Sequence, residues 1–117
     1  MVTLSSNEES LKEFRQRFAK DFLDICILRL IHIHPRWGYE IIMEVNKMYE
    51  IKKGPSTIYP LLVLLEAKGF IKGEWRLEKG RKKRIYKITP SGIELIDSFY
   101  NFLKEQLSIF DYYKKTL

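Results

Sequence analysis

Apolar residues recur along this chain with two periods, and the change from one to the other marks out its elements. From Glu8, the residues Leu11, Phe14, Phe18, Phe22 and Ile25 fall at three- and four-residue intervals, which is one face of an α-helix. Glu8 and Glu9 stand near its start, where the helix dipole favours acids, while Met1 to Asn7 carry no period and are expected to fray. Between Leu23 and Leu30 the pattern is apolar nearly all round, which predicts the central core element, with Arg29 turned to solvent or to an acidic partner. The helix is expected to end at His32-Ile33-His34-Pro35, because the residue before a proline avoids the helical region. Arg36-Trp37-Gly38-Tyr39 then opens a second helix, carried to Tyr49 by Ile41, Ile42, Val45 and Met48, with Glu40 and Glu44 on its polar side.

A short turn, Ile51-Lys52-Lys53-Gly54-Pro55, leads into a third helix with Gly54 as cap and Pro55 at its first position. Its inward stripe is Ile58, Leu61, Leu62 and Leu65, and Gly69 sits where a helix end takes a left-handed residue. Beyond Gly69 the period becomes two. Ile71, Gly73, Trp75 and Leu77 share one face of a strand, and Lys72, Glu74 and Arg76 share the other. Residues Arg84 to Thr89 are the returning strand, with Tyr86 and Ile88 on one side, after a polar loop Glu78-Lys79-Gly80-Arg81-Lys82-Lys83. Thr89-Pro90 restarts helix, and Ile93, Ile96, Tyr100, Leu103, Leu107, Phe110 and Leu117 form a heptad seam with Lys114 as its polar exception. The expected fold class is mainly α with a small β-hairpin: a winged helix-turn-helix plus N- and C-terminal dimerisation helices. Residues 1–89 are expected to make the winged helix-turn-helix unit with its N-terminal helix and residues 90–117 the C-terminal helix, the whole being one compact unit.

Charge gives this layout a purpose. Between Phe70 and Ile88 stand eight cations (Lys72, Arg76, Lys79, Arg81, Lys82, Lys83, Arg84, Lys87) against Glu74 and Glu78, an excess that equals the +6 of the whole chain. The remainder is neutral, so the basic character is concentrated on one hairpin beside one helix, as suits a polyanion. In a winged helix-turn-helix the second helix enters the major groove and the wing follows the backbone or an adjacent minor groove. The expected DNA-facing residues are Lys52 and Lys53 before the helix, Ser56, Thr57, Tyr59, Pro60 and Val63 on it, and Lys79, Arg81, Lys82, Lys83 and Arg84 on the wing. The helix set holds no Arg, Lys, Asn or Gln, the side chains that read guanine or adenine with paired hydrogen bonds, so base readout is modest and phosphates supply most of the affinity. Arg81 or Lys82 entering a narrow minor groove would favour A·T tracts by shape.

The C-terminal helix carries more apolar surface than one small core needs. Phe99, Phe102, Ile109, Tyr112 and Tyr113 widen its seam, and soluble monomers rarely expose such a face. A two-fold homodimer is expected, through Leu11, Phe14 and Phe18 of the first helix and Ile96, Phe99, Tyr100, Leu103, Leu107 and Phe110 of the last. The alternative is that the helix folds back on its own core.

Other classes find little support. With 117 residues, 45% apolar, the chain suits one domain and one core. It has neither an apolar run of about 18 residues nor a basic-then-apolar leader, so no membrane partner and a cytoplasmic location are expected. The single cysteine, Cys26, lies among Ile25, Ile27 and Leu28 as a small apolar group. His32 and His34 are two apart, off one helical face and with nothing to complete a tetrahedral site, so turn roles are expected and no metal or cofactor. Trp37 reads as packing at a helix start rather than a ligand platform. No nucleophile with a base, phosphate loop or paired carboxylates points to an enzyme. The rival is a winged-helix protein-interaction or architectural module, because fold does not fix function.

The stretch Ser56-Thr57-Ile58-Tyr59-Pro60-Leu61-Leu62-Val63-Leu64-Leu65-Glu66-Ala67-Lys68-Gly69-Phe70-Ile71, followed by Gly80-Arg81-Lys82-Lys83-Arg84-Ile85-Tyr86-Lys87-Ile88-Thr89, resembles the recognition helix and wing of the PadR family of transcriptional regulators. Ser56 stands where that family usually has glycine. Leu23 to Ile33 and Gly38-Tyr39-Glu40-Ile41 are similar to its first two helices, so the likeness covers most of the chain. It implies a homodimer that regulates transcription from double-stranded DNA, typically as a repressor at an inverted repeat. It also implies an aromatic or cationic small-molecule effector near the dimer interface, where Phe99, Tyr100 and Phe102 are candidates to line a cavity. Trp37 and Trp75 both lie outside the last helix, so a tryptophan pair sandwiching such a ligand is not supported.

Overall fold

Ser5 opens the first helix, its Oγ accepting the Glu8 N–H at 3.1 Å. That cap starts α1 (Ser6–Asp21) two residues before the position expected from periodicity, so Ser6 and Asn7 are helical. The computed structural model describes residues 5–116; the remainder of the expected frayed segment and Leu117 of the expected seam lie outside it. The single helix expected from Glu8 to Ile33 is two. Phe22 leaves helical geometry at φ −115° and ψ 33°, separating α1 from α2 (Leu23–Ile33). The 3.0 Å bond from the Cys26 N–H to the Phe22 carbonyl carries the chain across the break. The three- and four-residue periodicity misses this kink because Phe18, Phe22 and Ile25 keep their spacing through it.

Helix α2 is the core element, with Leu23, Cys26, Ile27, Leu28, Leu30 and Ile31 buried and Arg29 exposed to solvent. Extended His34 ends it before Pro35, and the His34 Nδ1 stands 2.9 Å from the Pro35 carbonyl oxygen, a turn role. Arg36 stands outside the next helix and Trp37 is its cap, the Trp37 N–H donating to Glu40 Oε1 at 3.4 Å. Arg36 and Trp37 form a two-residue strand, β1 (Arg36–Trp37), and α3 (Gly38–Tyr49) begins after it. Buried Arg36 donates from Nε to the Leu30 carbonyl at 2.9 Å, placing a cation on the negative end of α2. The turn after α3 is pinned by Asn46, which accepts the Lys53 N–H and donates to the Lys53 carbonyl, both at 2.7 Å.

Helix α4 (Pro55–Ala67) begins as expected with Gly54 as cap and Pro55 at its first position. It ends on Gly69 at φ +81°, with the Phe70 N–H on the Leu65 carbonyl and the Gly69 N–H on the Glu66 carbonyl, each 3.0 Å, which is a Schellman closure. The wing follows as β2 (Ile71–Glu78) and β3 (Arg81–Ile88). Its loop is shorter than the expected six-residue segment. Only Lys79 and Gly80 connect the strands, both at positive φ (48° and 76°), the type I′ turn whose twist matches a hairpin. Strand β1 joins the far side of β3, Arg36 opposite Tyr86 and Trp37 opposite Ile85, so the sheet has three antiparallel strands in the order β1-β3-β2.

Thr89 caps α5 (Pro90–Thr116): its Oγ1 accepts the Gly92 N–H at 3.1 Å and donates to the Gly69 carbonyl at 2.6 Å. Gly92 is required there because a Cβ would run into the Phe70 carbonyl and Ile88. The core lies between α2, α3, α4 and the sheet, where Ile27, Leu28, Ile41, Val45, Ile58 and Leu62 are completely buried. Leu95 and Ile96 of α5 pack on it, while Tyr100, Leu107, Ile109 and Phe110 are exposed.

Candidate nucleic-acid interface

Helices α3 and α4, joined by the pinned turn, form the helix-turn-helix, and the inward stripe of α4 sets what it shows outside. With Ile58, Leu62 and Leu65 buried, Ser56, Tyr59, Pro60 and Val63 are exposed and Thr57 is half-buried beside the turn. Pro60 stands inside the helix with no N–H to give to the Ser56 carbonyl four residues back. The Tyr59 ring packs on Gly38, so closely that a Cβ there would meet the ring carbon Cε1 at 2.5 Å. Lys52 is exposed and Lys53 half-buried, both just before the α4 N-terminus.

The wing is clamped to α4 by one carboxylate that sequence reading left without a role. Glu66 accepts the Gly73 N–H at 2.9 Å and both its oxygens accept from Arg84 Nη2, at 3.0 and 2.9 Å. The Gly73 hydrogen bond and the Arg84 guanidinium hold the Glu66 carboxyl below its ordinary value of 4.5, against partial desolvation that raises it. Arg84 is thus turned back onto the protein, its guanidinium also 5.3 Å from the Trp75 ring centroid, and it is unlike the tip cations expected to share its task. Lys83 is likewise engaged, 3.5 Å from Glu78 and 4.1 Å over the Trp37 ring, and Lys87 pairs with Glu74 at 3.3 Å. Lys72, Arg76, Lys79, Arg81 and Lys82 have no acidic partner among the described residues, and all five are exposed.

The Glu66 clamp makes a pH prediction. A carboxyl whose value is depressed on folding contributes stability above its ordinary value and loses it as pH falls through the depressed one. Glu66→Gln is expected to lower stability by about 1 kcal/mol at pH 7, a half-exposed charge-assisted bond. In paired thermal melts the gap between variant and parent should be full above pH 4.5 and close progressively as pH falls below it. A gap independent of pH would mean that the carboxylate charge contributes nothing.

Away from the wing, α1 and α5 carry the apolar face. Leu11, Phe14 and Phe18 are exposed on α1; on α5 Tyr100, Leu107 and Phe110 are exposed, and Ile96, Phe99 and Leu103 half-buried. Phe18, Phe22, Phe99 and Phe102 run as a ladder of tilted rings with centroids 5.2, 5.5 and 6.3 Å apart, joining the two helices. Behind Phe99 and Tyr100 a cavity of about 310 Å³ reaches Cys26, Arg29 and Tyr49. Burial raises the Cys26 thiol, and burial with the hydrogen bond to Cys26 pushes the Tyr49 hydroxyl up to about 12, so both stay neutral at physiological pH. Phe102 is not among the cavity-lining residues, and Trp37 packs against Tyr39 and Lys83 on the sheet.

A helix-turn-helix whose second helix is stapled to a cationic two-stranded wing is the winged-helix architecture. The chain belongs to the transcriptional regulator PadR-like family, which matches it over residues 27–98, from mid-α2 into α5. It is therefore a DNA-binding regulator of a family of transcriptional regulators, not of enzymes. It is similar to transcriptional regulator Rv3488 of Mycobacterium tuberculosis (strain ATCC 25618 / H37Rv), 35% identical over 60 residues covering 51% of this chain and 52% of that one, about half the relative's length. An uncharacterised protein of Lysinibacillus sphaericus is 31% identical over 108 residues, 88% of this chain and 97% of its own. The crystal structure of a PadR-like transcriptional regulator from Bacillus cereus superposes with a TM-score of 0.71 at 27% identity, covering 81% of this chain and 93% of the other. Among the described residues no helix is long and apolar enough to cross a membrane.

Proposed function

We propose that the chain works as a homodimer on an inverted repeat in duplex DNA and represses transcription by occupying a promoter. The observation that carries this reading is the division of the wing cations: three are held by Glu66, Glu74 and Glu78, and five, with Lys52 before α4, are left for an outside polyanion. Helix α4 enters the major groove and Ser56, Thr57 and Tyr59 offer hydroxyls, with Pro60 and Val63 against thymine methyls. Lys79, Arg81 and Lys82 meet phosphate or the adjacent minor groove. The aromatic face of α1 and α5 joins two subunits and sets two α4 helices about one helical turn apart, which fits an inverted repeat. An aromatic effector would find its walls in Phe18, Phe99 and Tyr100 around the 310 Å³ cavity, a size within the range of ligand sites.

A salt titration tests the DNA reading. Every phosphate that the protein neutralises adds about 0.9 to the steepness of log affinity against log salt, so Arg81→Ala with Lys82→Ala should flatten the slope by about 2 per subunit and weaken binding to every sequence. An unchanged slope takes the wing tip out of the interface. Absence of saturable duplex binding by the parent protein at moderate salt would favour the protein-interaction module instead.

A further inference from the structure

Past Gly73 the core-facing side of the wing holds two large apolar side chains that the core does not cover, Leu77 and Trp75, the latter with only the Arg84 guanidinium 5.3 Å from its ring centroid. Ile71 and Tyr86 on that side are 2% and 6% exposed, whereas Trp75 is 66% and Leu77 72% exposed. On the opposite side the tip is polar: Glu74, Arg76 and Glu78 of β2 face Arg81 and Lys83 of β3 with two ion pairs across that side, and its one apolar residue, Ile85, is buried at 6%. A hairpin that has left its core is expected to be polar on both sides, and apolar residues at its tip invite association. Trp75 and Leu77 break that rule together, on one side.

The surrounding charge selects the occupant. Leu77 stands opposite Lys82 and Trp75 opposite Arg84, while Lys79 lies in the turn and Arg81 follows it. An apolar protein surface would bury these residues but leave Lys79, Arg81 and Lys82 without counter-charge. A minor groove supplies both requirements: phosphates on two walls roughly 6 Å apart, and apolar base and sugar surface between them. The strand from Gly73 to Glu78 extends about 17 Å, enough to carry Leu77 across a phosphate backbone from the groove that α4 enters.

The geometry points to Leu77, backed by Trp75, as an apolar wedge that enters a base step of the minor groove beside each half-site and kinks the duplex. The wedge rests on the DNA reading above. It also supplies selectivity that α4 lacks, because opening a step is cheapest at pyrimidine–purine steps, and a site would be chosen by deformability as well as by contact. Leu77 touches no phosphate, so its contribution is independent of salt.

The test uses the full chain on duplexes that the parent protein selects from a random pool, with bending read by energy transfer between end labels and affinity read across salt. The parent should bend its site by roughly 20–90° and enrich flexible steps where the wing lies. Leu77→Ala, at an exposed position that leaves the thermal melt unchanged, should reduce the bend and weaken binding about tenfold with the salt slope unaltered, unlike the Arg81 and Lys82 variant. In a Trp37→Phe background, fluorescence of the remaining Trp75 should be quenched on binding. Tight duplex binding with bend and affinity indifferent to Leu77→Ala overturns the wedge and leaves the DNA reading standing. A change in solution mass on Leu77→Ala would assign the patch to a second copy and overturn it too. Failure of the parent to bind any duplex overturns both.

Discussion

Leu107→Asp combined with Phe110→Asp is expected to turn a particle of twice the 14.1 kDa chain mass into a single chain, and to weaken binding to an inverted repeat by roughly 10² to 10⁴. Both side chains are exposed in the single chain, at 62% and 71%, so the substitution costs the isolated fold little. In a dimer they would bring four carboxylates together in one seam, where desolvation and mutual repulsion outweigh what Lys114, the seam's one cation, can offset. The weaker DNA binding follows from linkage: joined half-site binders experience the second half-site at high effective concentration, and separated ones do not. Light scattering gives the mass and a duplex titration the affinity. A variant that remains two-fold, or a monomer that binds the repeat as tightly as the parent, would remove α5 from the assembly. Binding to a single half-site should change little in either case, which separates assembly from damage to α4.

The readable parts of this fold were those enforced by local chemistry. Gly54-Pro55 at the start of α4, left-handed Gly69 at its end and Thr89-Pro90 ahead of α5 each satisfy helix-end groups with side chains or geometry that few other residues supply, and each is found as the spacing predicted. What escaped depends on partners distant in the chain. A two-residue strand has no period to detect, and β1 exists only because Tyr86 and Ile85 of β3 lie beside it. Arg36 looked like a helix start because its partner, the Leu30 carbonyl, becomes available only once α2 has ended. The cationic wing was legible as a total and misleading residue by residue. Composition cannot distinguish Arg84, bound to Glu66, from Arg81, which faces outward; alternation places Arg84 on the side with Trp75, and the contact with α4 decides the rest. The same alternation placed Trp75 and Leu77 on the core side without revealing that the core stops at Gly73.

The other large effect is expected from neighbouring positions on α4 with opposite fates. Leu62 is completely buried under the helix, among Ile27, Ile31, Ile58 and Ile71, whereas Val63 is 68% exposed. Leu62→Ala removes buried methylene and methyl groups and leaves a cavity, a combined cost of about 3 kcal/mol. That is a large share of the roughly 5–15 kcal/mol that holds a domain of this size folded, and should lower the melting temperature by roughly 10–15 °C at fixed protein concentration. The damage reaches DNA binding indirectly, since Leu62 and Leu65 hold the helix that carries Ser56, Tyr59 and Val63. Loosening that anchor should weaken affinity for all sequences while keeping the salt slope, because the phosphate contacts remain. Val63→Ala should instead change stability by no more than about 0.5 kcal/mol and alter preference only where a thymine methyl meets it. If the two variants melt alike, α4 is rotated from the orientation described, and the outward set assigned to DNA would have to be redrawn from the new buried stripe.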